Sequence, residues 1–173
     1  SFWRILNNFT HANPYFPNFA KHENTLFSKF KPLTKIMKIG LLREWKEPAD
    51  KRVALTPDQC AQFTNKFPEI ELVVEKSPDR TFSDQAYKKL GIAVVSDVSD
   101  CDILFGIKEV PIEKLIPNKT YFFFSHTIKE QAYNRDLLRA ILEKNITLID
   151  YETLTWSEGG RILGFGKWAG IAG

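Results

Sequence analysis

Hydrophobic residues occur in short runs along this chain, and their pattern becomes regular only after Met37. Apolar runs of four to seven residues predict strands at 38–42, 70–76, 92–95, 102–107, 120–125 and 146–150. Helices are predicted between them at 57–67, 83–91 and about 130–144. Strands that are apolar throughout and alternate with helices are typical of a parallel sheet covered on both faces. The pattern therefore predicts an α/β fold with a doubly wound, mostly parallel sheet.

Local signals support the helix boundaries. Thr56 is a good N-cap for the first helix, and Pro57 suits its first position because that position needs no N–H donor. Ser83 is the predicted cap of the second helix, which ends at Gly91. The third helix carries an apolar stripe at helical spacing that we expect to face the core: Tyr133, Leu137, Leu138, Ile141 and Leu142.

Residues 1–36 differ from the rest of the chain, because aromatic residues are scattered there without a period of two or 3.6. We interpret this segment as an irregular extension, translated from sequence upstream of a true start at Met37. A packed or targeting extension is the alternative, although a single arginine, Arg4, is few for a transit peptide. Residues 37–173 then form one domain.

Composition narrows the functional classes. The net charge of +3 is mild and the basic residues are interleaved with acids, so we predict no nucleic-acid partner. No apolar stretch approaches the length of a membrane span, so we predict no membrane partner. Cys60, Cys101 and three histidines show no metal-ligand spacing, and we predict no metal site. Unpaired cysteines favour reduced thiols in a cytoplasmic protein.

Polar residues follow the predicted strands at one edge of the sheet. In chain order these are Arg43, Lys46, Arg52, Lys108, Glu109, His126, Tyr151 and Glu152. Ligands of open parallel sheets bind beyond the carboxyl ends of the strands. Cations and a histidine around one crevice fit a small carboxylate substrate and a reaction with proton transfer.

Each of these residues also has a structural interpretation. Arg52 is close in sequence to two possible ion-pair partners, Asp50 and Asp58. Lys108 has Glu109 and Glu113 nearby. A lone histidine such as His126 commonly bonds a backbone carbonyl. The functional interpretation rests on their occurrence together at successive strand ends.

Several longer motifs identify a family. They are REWK at 43–46 with RVALTP at 52–57, FGIKEVP at 105–111, FSHTIKEQ at 124–131, DYE at 150–152 and GFGKWAGIAG at 164–173. With them, residues 37–173 resemble the N-terminal part of the alanine dehydrogenase and pyridine nucleotide transhydrogenase superfamily. The last two motifs make the chain most similar to lysine-forming saccharopine dehydrogenase. The resemblance implies the Rossmann-like or flavodoxin-like substrate domain of a two-domain dehydrogenase.

The resemblance also implies roles for individual residues. Arg52 matches the arginine that holds the substrate carboxylate, with Arg43 and Lys46 as further substrate-binding candidates. Lys108 and His126 match the acid/base pair that moves protons while saccharopine is converted to lysine and 2-oxoglutarate, or the reverse. Glu109 and Glu152 are expected to supply negative charge near that pair.

The implied cofactor is NAD or NADP, yet the sequence contains no Gly-rich turn between a strand and a helix with an acid about 20 residues later. We therefore expect this chain to bind no nucleotide, and to be a domain cut at the junction to a missing NAD-binding domain, inactive alone. Its partner is expected to be a small amino acid or 2-oxo acid. An alanine dehydrogenase-like enzyme and a non-catalytic carboxylate-binding module remain alternatives, and the sequence predicts no oligomeric state.

Overall fold

A computed structural model describes residues 36–46 and 48–164 of the chain. Its strands are β1 (Met37–Leu41), β2 (Ile70–Glu75), β3 (Ala93–Val95), β4 (Ile103–Lys108), β5 (Thr120–Phe124) and β6 (Thr147–Asp150). Its helices are α1 (Pro57–Lys66), α2 (Asp84–Lys89) and α3 (Arg135–Glu143). The predicted extension up to residue 35 and the run 165–173 lie outside the described residues, as does Glu47.

The strands form one six-stranded sheet with the order β3-β2-β1-β4-β5-β6, and every neighbouring pair is parallel. This confirms the predicted α/β, Rossmann-like sheet. From β1 the chain builds outwards through β2 and β3, then returns to add β4, β5 and β6 on the other side of β1. The order thus reverses between β1 and β4, and connections leave these two strands in opposite directions. Such a switch point opens a crevice at the carboxyl ends of the strands.

Two hydrophobic layers cover the sheet, one on each face. Because side chains alternate along a strand, Leu72 and Val74 belong to the layer that contains α1 and α2, while Val73 belongs to the layer that contains α3. Phe63 of α1 is buried in the first layer and Ile141 of α3 in the second. The sheet therefore presents apolar residues on both faces, as the uninterrupted apolar runs predict.

Gly40 allows β1 to pack closely against the second layer. A Cβ atom at this position would lie 2.9 Å from Leu104 Cδ2 and 3.0 Å from Cys101 Sγ, both of which are fully buried. Both contacts would be too close, so a larger residue at position 40 would require these two packed side chains to shift.

The predicted ends of α1 and α2 are confirmed. Thr56 Oγ1 accepts the N–H of Gln59 at 3.3 Å, and Gln59 Oε1 accepts the N–H of Thr56 at 2.9 Å, which completes a capping box. Ser83 caps α2, and Gly91 follows it with a φ of +77°. None of the helices in the described part of the chain is long and apolar enough to cross a membrane.

The third helix differs from its prediction. It begins at Arg135 rather than near Glu130, because Glu130 and His126 adopt left-handed backbone conformations with φ of 52° and 57°. One 3₁₀ turn lies between them at Thr127–Lys129, and a second follows at Ala132–Asn134, instead of an α-helix. The predicted stripe is also partly wrong. Leu137 and Ile141 are buried, as is Ala140. The other three members of the stripe are exposed: Tyr133 (73%), Leu138 (43%) and Leu142 (72%).

Candidate active site

A cavity of about 180 Å³ lies at the carboxyl ends of the central strands. Its walls are formed by Arg52, Val53, Ala54, Ile107, Phe124, Tyr151, Leu163 and Gly164. Apart from one guanidinium, these walls are largely apolar, since even Tyr151 contributes a ring that packs edge-on against Phe124 at 5.1 Å. A cavity of this kind favours a ligand with an aliphatic body and one anionic end.

Arg52 brings positive charge to the cavity wall while it pairs with Asp50. Its Nε donates to Asp50 Oδ1 at 2.9 Å, and its backbone N–H donates to the same oxygen at 3.1 Å. The side-chain hydrogen bond from Arg52 lowers the pKa of Asp50 below its ordinary value, and the charge of Lys108 contributes to the same shift. Asp50 is thus the ion-pair partner of Arg52, one of the two that its position in the sequence offered.

Lys108 is the last residue of β4, and its backbone is held by Glu44. Glu44 Oε1 accepts the N–H of Ile107 at 2.7 Å, and Oε2 accepts the N–H of Lys108 at 2.8 Å. Burial raises the pKa of Glu44 from 4.5 to about 7, although these two hydrogen bonds oppose the shift. In the sequence Glu44 stands out only as part of the REWK motif, because a carboxylate that binds backbone groups 63 and 64 positions away leaves no local signal.

His126 follows β5 and contacts Glu152 rather than a backbone carbonyl. Its Nδ1 lies 2.8 Å from Glu152 Oε2, and its ring stacks on Phe124 with centroids 6.4 Å apart. Lys129 Nζ also lies 3.1 Å from Nδ1. An ammonium only donates and a carboxylate only accepts, so the two contacts require opposite tautomers. The shorter contact favours a proton on Nδ1, which leaves Nε2 to exchange a proton with a ligand.

Glu152 is a buried carboxylate surrounded by cations. Its side chain is 5% exposed, and its Oε1 lies 3.3 Å from Lys129 Nζ and 3.5 Å from an Arg161 nitrogen. Burial alone would raise the pKa of Glu152, but hydrogen bonds from His126 and Lys129 outweigh burial and lower the pKa below its ordinary value. Glu152 therefore stays ionised and fixes the orientation of the His126 ring.

A buried network joins the ends of β5 and β6 beneath this pair. Asp150 Oδ2 accepts the hydroxyl of Ser125, and Asp150 Oδ1 accepts the N–H of Glu152 at 2.8 Å. Ser125 Oγ in turn accepts the N–H of Thr127 at 3.1 Å. One aspartate thus anchors the residue before His126 and the residue that contacts the His126 ring.

The predicted site residues divide into two groups. Arg52 lines the cavity, whereas Lys108 and His126 do not line it themselves but adjoin residues that do, since Lys108 follows Ile107 and the His126 ring stacks on Phe124. Lys46 and Glu109 instead pair with each other at 3.2 Å, with 45% and 37% of their side chains exposed. The Arg43 guanidinium stacks on Trp45 at 4.2 Å. These last three residues are not part of the cavity wall.

The described strand-to-helix connections do not fit a dinucleotide. Such a cradle needs a Gly-rich turn in which backbone N–H groups approach the pyrophosphate. Residues 42–56, 76–83 and 125–134, which lead into α1, α2 and α3, contain no glycine. In addition, the first turn of α1 is occupied by its own cap at Thr56. We assign no hydride chemistry to the residues that the structure describes.

Comparison with known proteins identifies the family and the fold of the chain. Residues 40–172 match the model of the alanine dehydrogenase/PNT N-terminal domain family. Among solved structures, an L-alanine dehydrogenase superposes with a TM-score of 0.58 at 21% identity, over 72% of this chain and 35% of that one. A transhydrogenase from Sinorhizobium meliloti gives a TM-score of 0.52 at 19% identity, over 66% of this chain and 33% of that one. At these identities the structural likeness shows the fold.

The chain belongs to the alanine dehydrogenase/PNT N-terminal domain family. Alpha-aminoadipic semialdehyde synthase of Arabidopsis thaliana is 38% identical over 139 residues, which is 78% of this chain and 13% of that protein. The mitochondrial alpha-aminoadipic semialdehyde synthase of Bos taurus is 40% identical over 78% of this chain and 14% of that protein. Saccharopine dehydrogenase [NAD(+), L-lysine-forming] of Candida glabrata is 34% identical over 76% of this chain and 37% of that protein. The chain thus spans well under half the length of these relatives, and the resemblance inferred from the motifs is confirmed.

Proposed function

We propose that this chain is the substrate-binding domain of a saccharopine dehydrogenase-like oxidoreductase, which converts saccharopine to lysine and 2-oxoglutarate or catalyses the reverse reaction with NAD or NADP. The observation that supports this proposal is the cavity that Arg52 lines, with Lys108 next to the lining residue Ile107 and the His126 ring stacked on the lining residue Phe124. The relatives named saccharopine dehydrogenase support the reaction class. The nucleotide would be bound outside the described residues.

Arg52 is the proposed carboxylate-binding residue. It contributes a guanidinium to a wall that is otherwise largely apolar, and a guanidinium binds a carboxylate through charge-assisted hydrogen bonds. The apolar residues beside it, among them Val53 and Ile107, suit the methylene groups of a dicarboxylate or of lysine. Asp50 keeps the Arg52 side chain in place.

Lys108 and His126 are the proposed acid/base residues. In the lysine-forming direction, water adds to the carbon of an imine, and one proton must leave that water while another reaches the imine nitrogen. The carbinolamine then loses its hydroxyl proton to a base as its C–N bond breaks, and the nitrogen leaves with the bonding pair and takes a proton from an acid to become the amine of lysine. Lys108 and His126 lie at the ends of neighbouring strands, so each can serve one side of the reacting carbon. His126 would act through Nε2, since Glu152 contacts Nδ1.

A substrate panel tests the proposal. The complete protein that contains this domain and its nucleotide-binding partner should oxidise NADH or NADPH with 2-oxoglutarate plus lysine, at a kcat/KM at least about tenfold above that for pyruvate plus ammonia. The present chain alone should show no turnover. Preference for pyruvate and ammonia would identify an alanine dehydrogenase instead. Binding of 2-oxoglutarate without turnover in the complete protein would identify a carboxylate-binding module.

Replacement of Arg52 by glutamine should weaken substrate binding. Loss of one charged, bidentate contact to a carboxylate costs about 1.5–3 kcal/mol, so the KM for 2-oxoglutarate should rise about 10- to 150-fold. Lys51→Gln is the matched control, because it removes an adjacent positive charge whose side chain lies outside the cavity wall. Equal KM values for the two variants would show that Arg52 serves only its ion pair with Asp50.

A further inference from the structure

Glu44 binds the end of β4 in a way that a regular strand does not allow. Consecutive N–H groups of a strand point in opposite directions, towards its two neighbours. Here the N–H groups of Ile107 and Lys108 both donate to one carboxylate, at 2.7 and 2.8 Å. The strand must therefore be locally distorted at these two residues.

The pairing of β4 with β5 shows the same distortion. Phe105 pairs with Phe122, and Lys108 pairs with Phe124, so three steps along β4 match two steps along β5. This is the register of a β-bulge, which inserts one residue and redirects the side chains that follow it. Without the bulge, Ile107 rather than Lys108 would lie opposite Phe124. The bulge thus decides that Lys108, and not Ile107, lies opposite Phe124.

We propose that Glu44 is a positioning residue for Lys108, and that its carboxylate maintains the bulge that directs the Lys108 side chain. The catalytic importance of this role rests on the proposed function of Lys108. The neighbouring strand cannot supply the acceptors, because the last bond between the first strand and β4 runs from the Leu42 N–H to the Phe105 carbonyl at 2.7 Å. Beyond Phe105, the Glu44 carboxylate provides the hydrogen-bond acceptors for β4.

The charge state of Glu44 makes this role testable. Burial raises the pKa of Glu44 to about 7, and the charges of Asp50 and Arg52 act on it in opposite directions. The phenol of Tyr151 also faces the Glu44 charge. Ionised Glu44 accepts both N–H groups with full strength, whereas protonated Glu44 accepts less strongly at the oxygen that carries the proton. The bulge should therefore loosen as the pH falls below about 7.

Nuclear magnetic resonance of the present chain tests this positioning role without any measurement of turnover. In the unmodified protein, the amide protons of Ile107 and Lys108 should both shift between pH 5.5 and 8.5, with an inflection near pH 7. In protein with ¹³C-dimethylated lysines, the Lys108 methyl signal, assigned with Lys108→Arg, should show the same inflection. Glu44→Gln should abolish it, and Glu113→Gln, an exposed carboxylate five residues after Lys108, should leave it unchanged.

A Lys108 signal with the same pH curve in Glu44→Gln and unmodified protein would overturn the proposal. If Glu44→Gln does not fold, the amide protons of Ile107 and Lys108 in the unmodified protein provide the test. The absence of an inflection near pH 7 at either residue would also overturn the proposal. Failure of the substrate panel would remove only the saccharopine assignment. The dependence of Lys108 geometry on Glu44 would still stand.

Discussion

Lys108→Met is expected to lower kcat of the complete enzyme by about 10²- to 10⁴-fold, the range that a positioned general acid or base contributes. Methionine keeps much of the length and volume of lysine but exchanges no protons. Because the backbone of Lys108 is held through its N–H by Glu44, the bulge should survive the substitution. The KM for 2-oxoglutarate should therefore change far less than kcat, since Arg52 is proposed to bind the carboxylate.

The control for this prediction is Lys88→Met, which makes the same chemical change at an exposed position on α2. Its kcat should stay within about twofold of the unmodified enzyme, as expected for a surface substitution. A small primary amine added to Lys108→Met should restore part of the activity, because a free amine can replace the lost proton acceptor. Near-normal turnover of Lys108→Met would show that Lys108 has only a structural role.

The fold was largely predictable because its signals are local. Apolar runs such as 70–75 are buried on both faces, and the Thr56-Pro57 and Ser83 caps mark their helices within a few residues. The start of α3 was not predictable in this way. The left-handed residues His126 and Glu130 interrupt the segment, yet neither is a glycine and no proline stands nearby to indicate the break. Helical periodicity alone placed the helix about five residues too early.

Residues of the candidate site were predictable only where they follow a strand in the sequence. Arg52, Lys108 and His126 follow strands of the sheet, and parallel strands bring such positions to one edge. Residues that act across the sheet were missed. Glu44 binds a backbone 63 residues away, and Asp150 binds Ser125 from 25 residues away, so their roles depend on the strand order. A motif identifies these residues without showing what they touch.

Asp150→Ala is expected to lower the free energy of unfolding of the present chain by about 2–5 kcal/mol. The substitution removes the acceptor for the Ser125 hydroxyl and for the Glu152 N–H, both of which are buried. The Glu152 N–H is left without a partner, which costs about 1–3 kcal/mol, and the Ser125 hydroxyl exchanges a charged acceptor for Thr127 Oγ1, 2.8 Å away, at a further cost of about 1–2 kcal/mol. Urea unfolding measures the change, and Asp79→Ala, at an exposed loop position, should stay within about 0.5 kcal/mol.

A double substitution separates lost hydrogen bonds from the general effect of a smaller side chain. Ser125→Ala removes the hydroxyl that donates to Asp150. In Ser125→Ala/Asp150→Ala, this hydroxyl is therefore no longer present to lose its acceptor, as it does in Asp150→Ala alone. The double variant should therefore be more stable than the sum of the single effects, by about 0.5–3 kcal/mol. Strict additivity would mean that the two side chains do not interact. In that case Asp150 could not link Ser125 to Glu152, and the orientation of His126 would depend on the 2.8 Å contact with Glu152 alone.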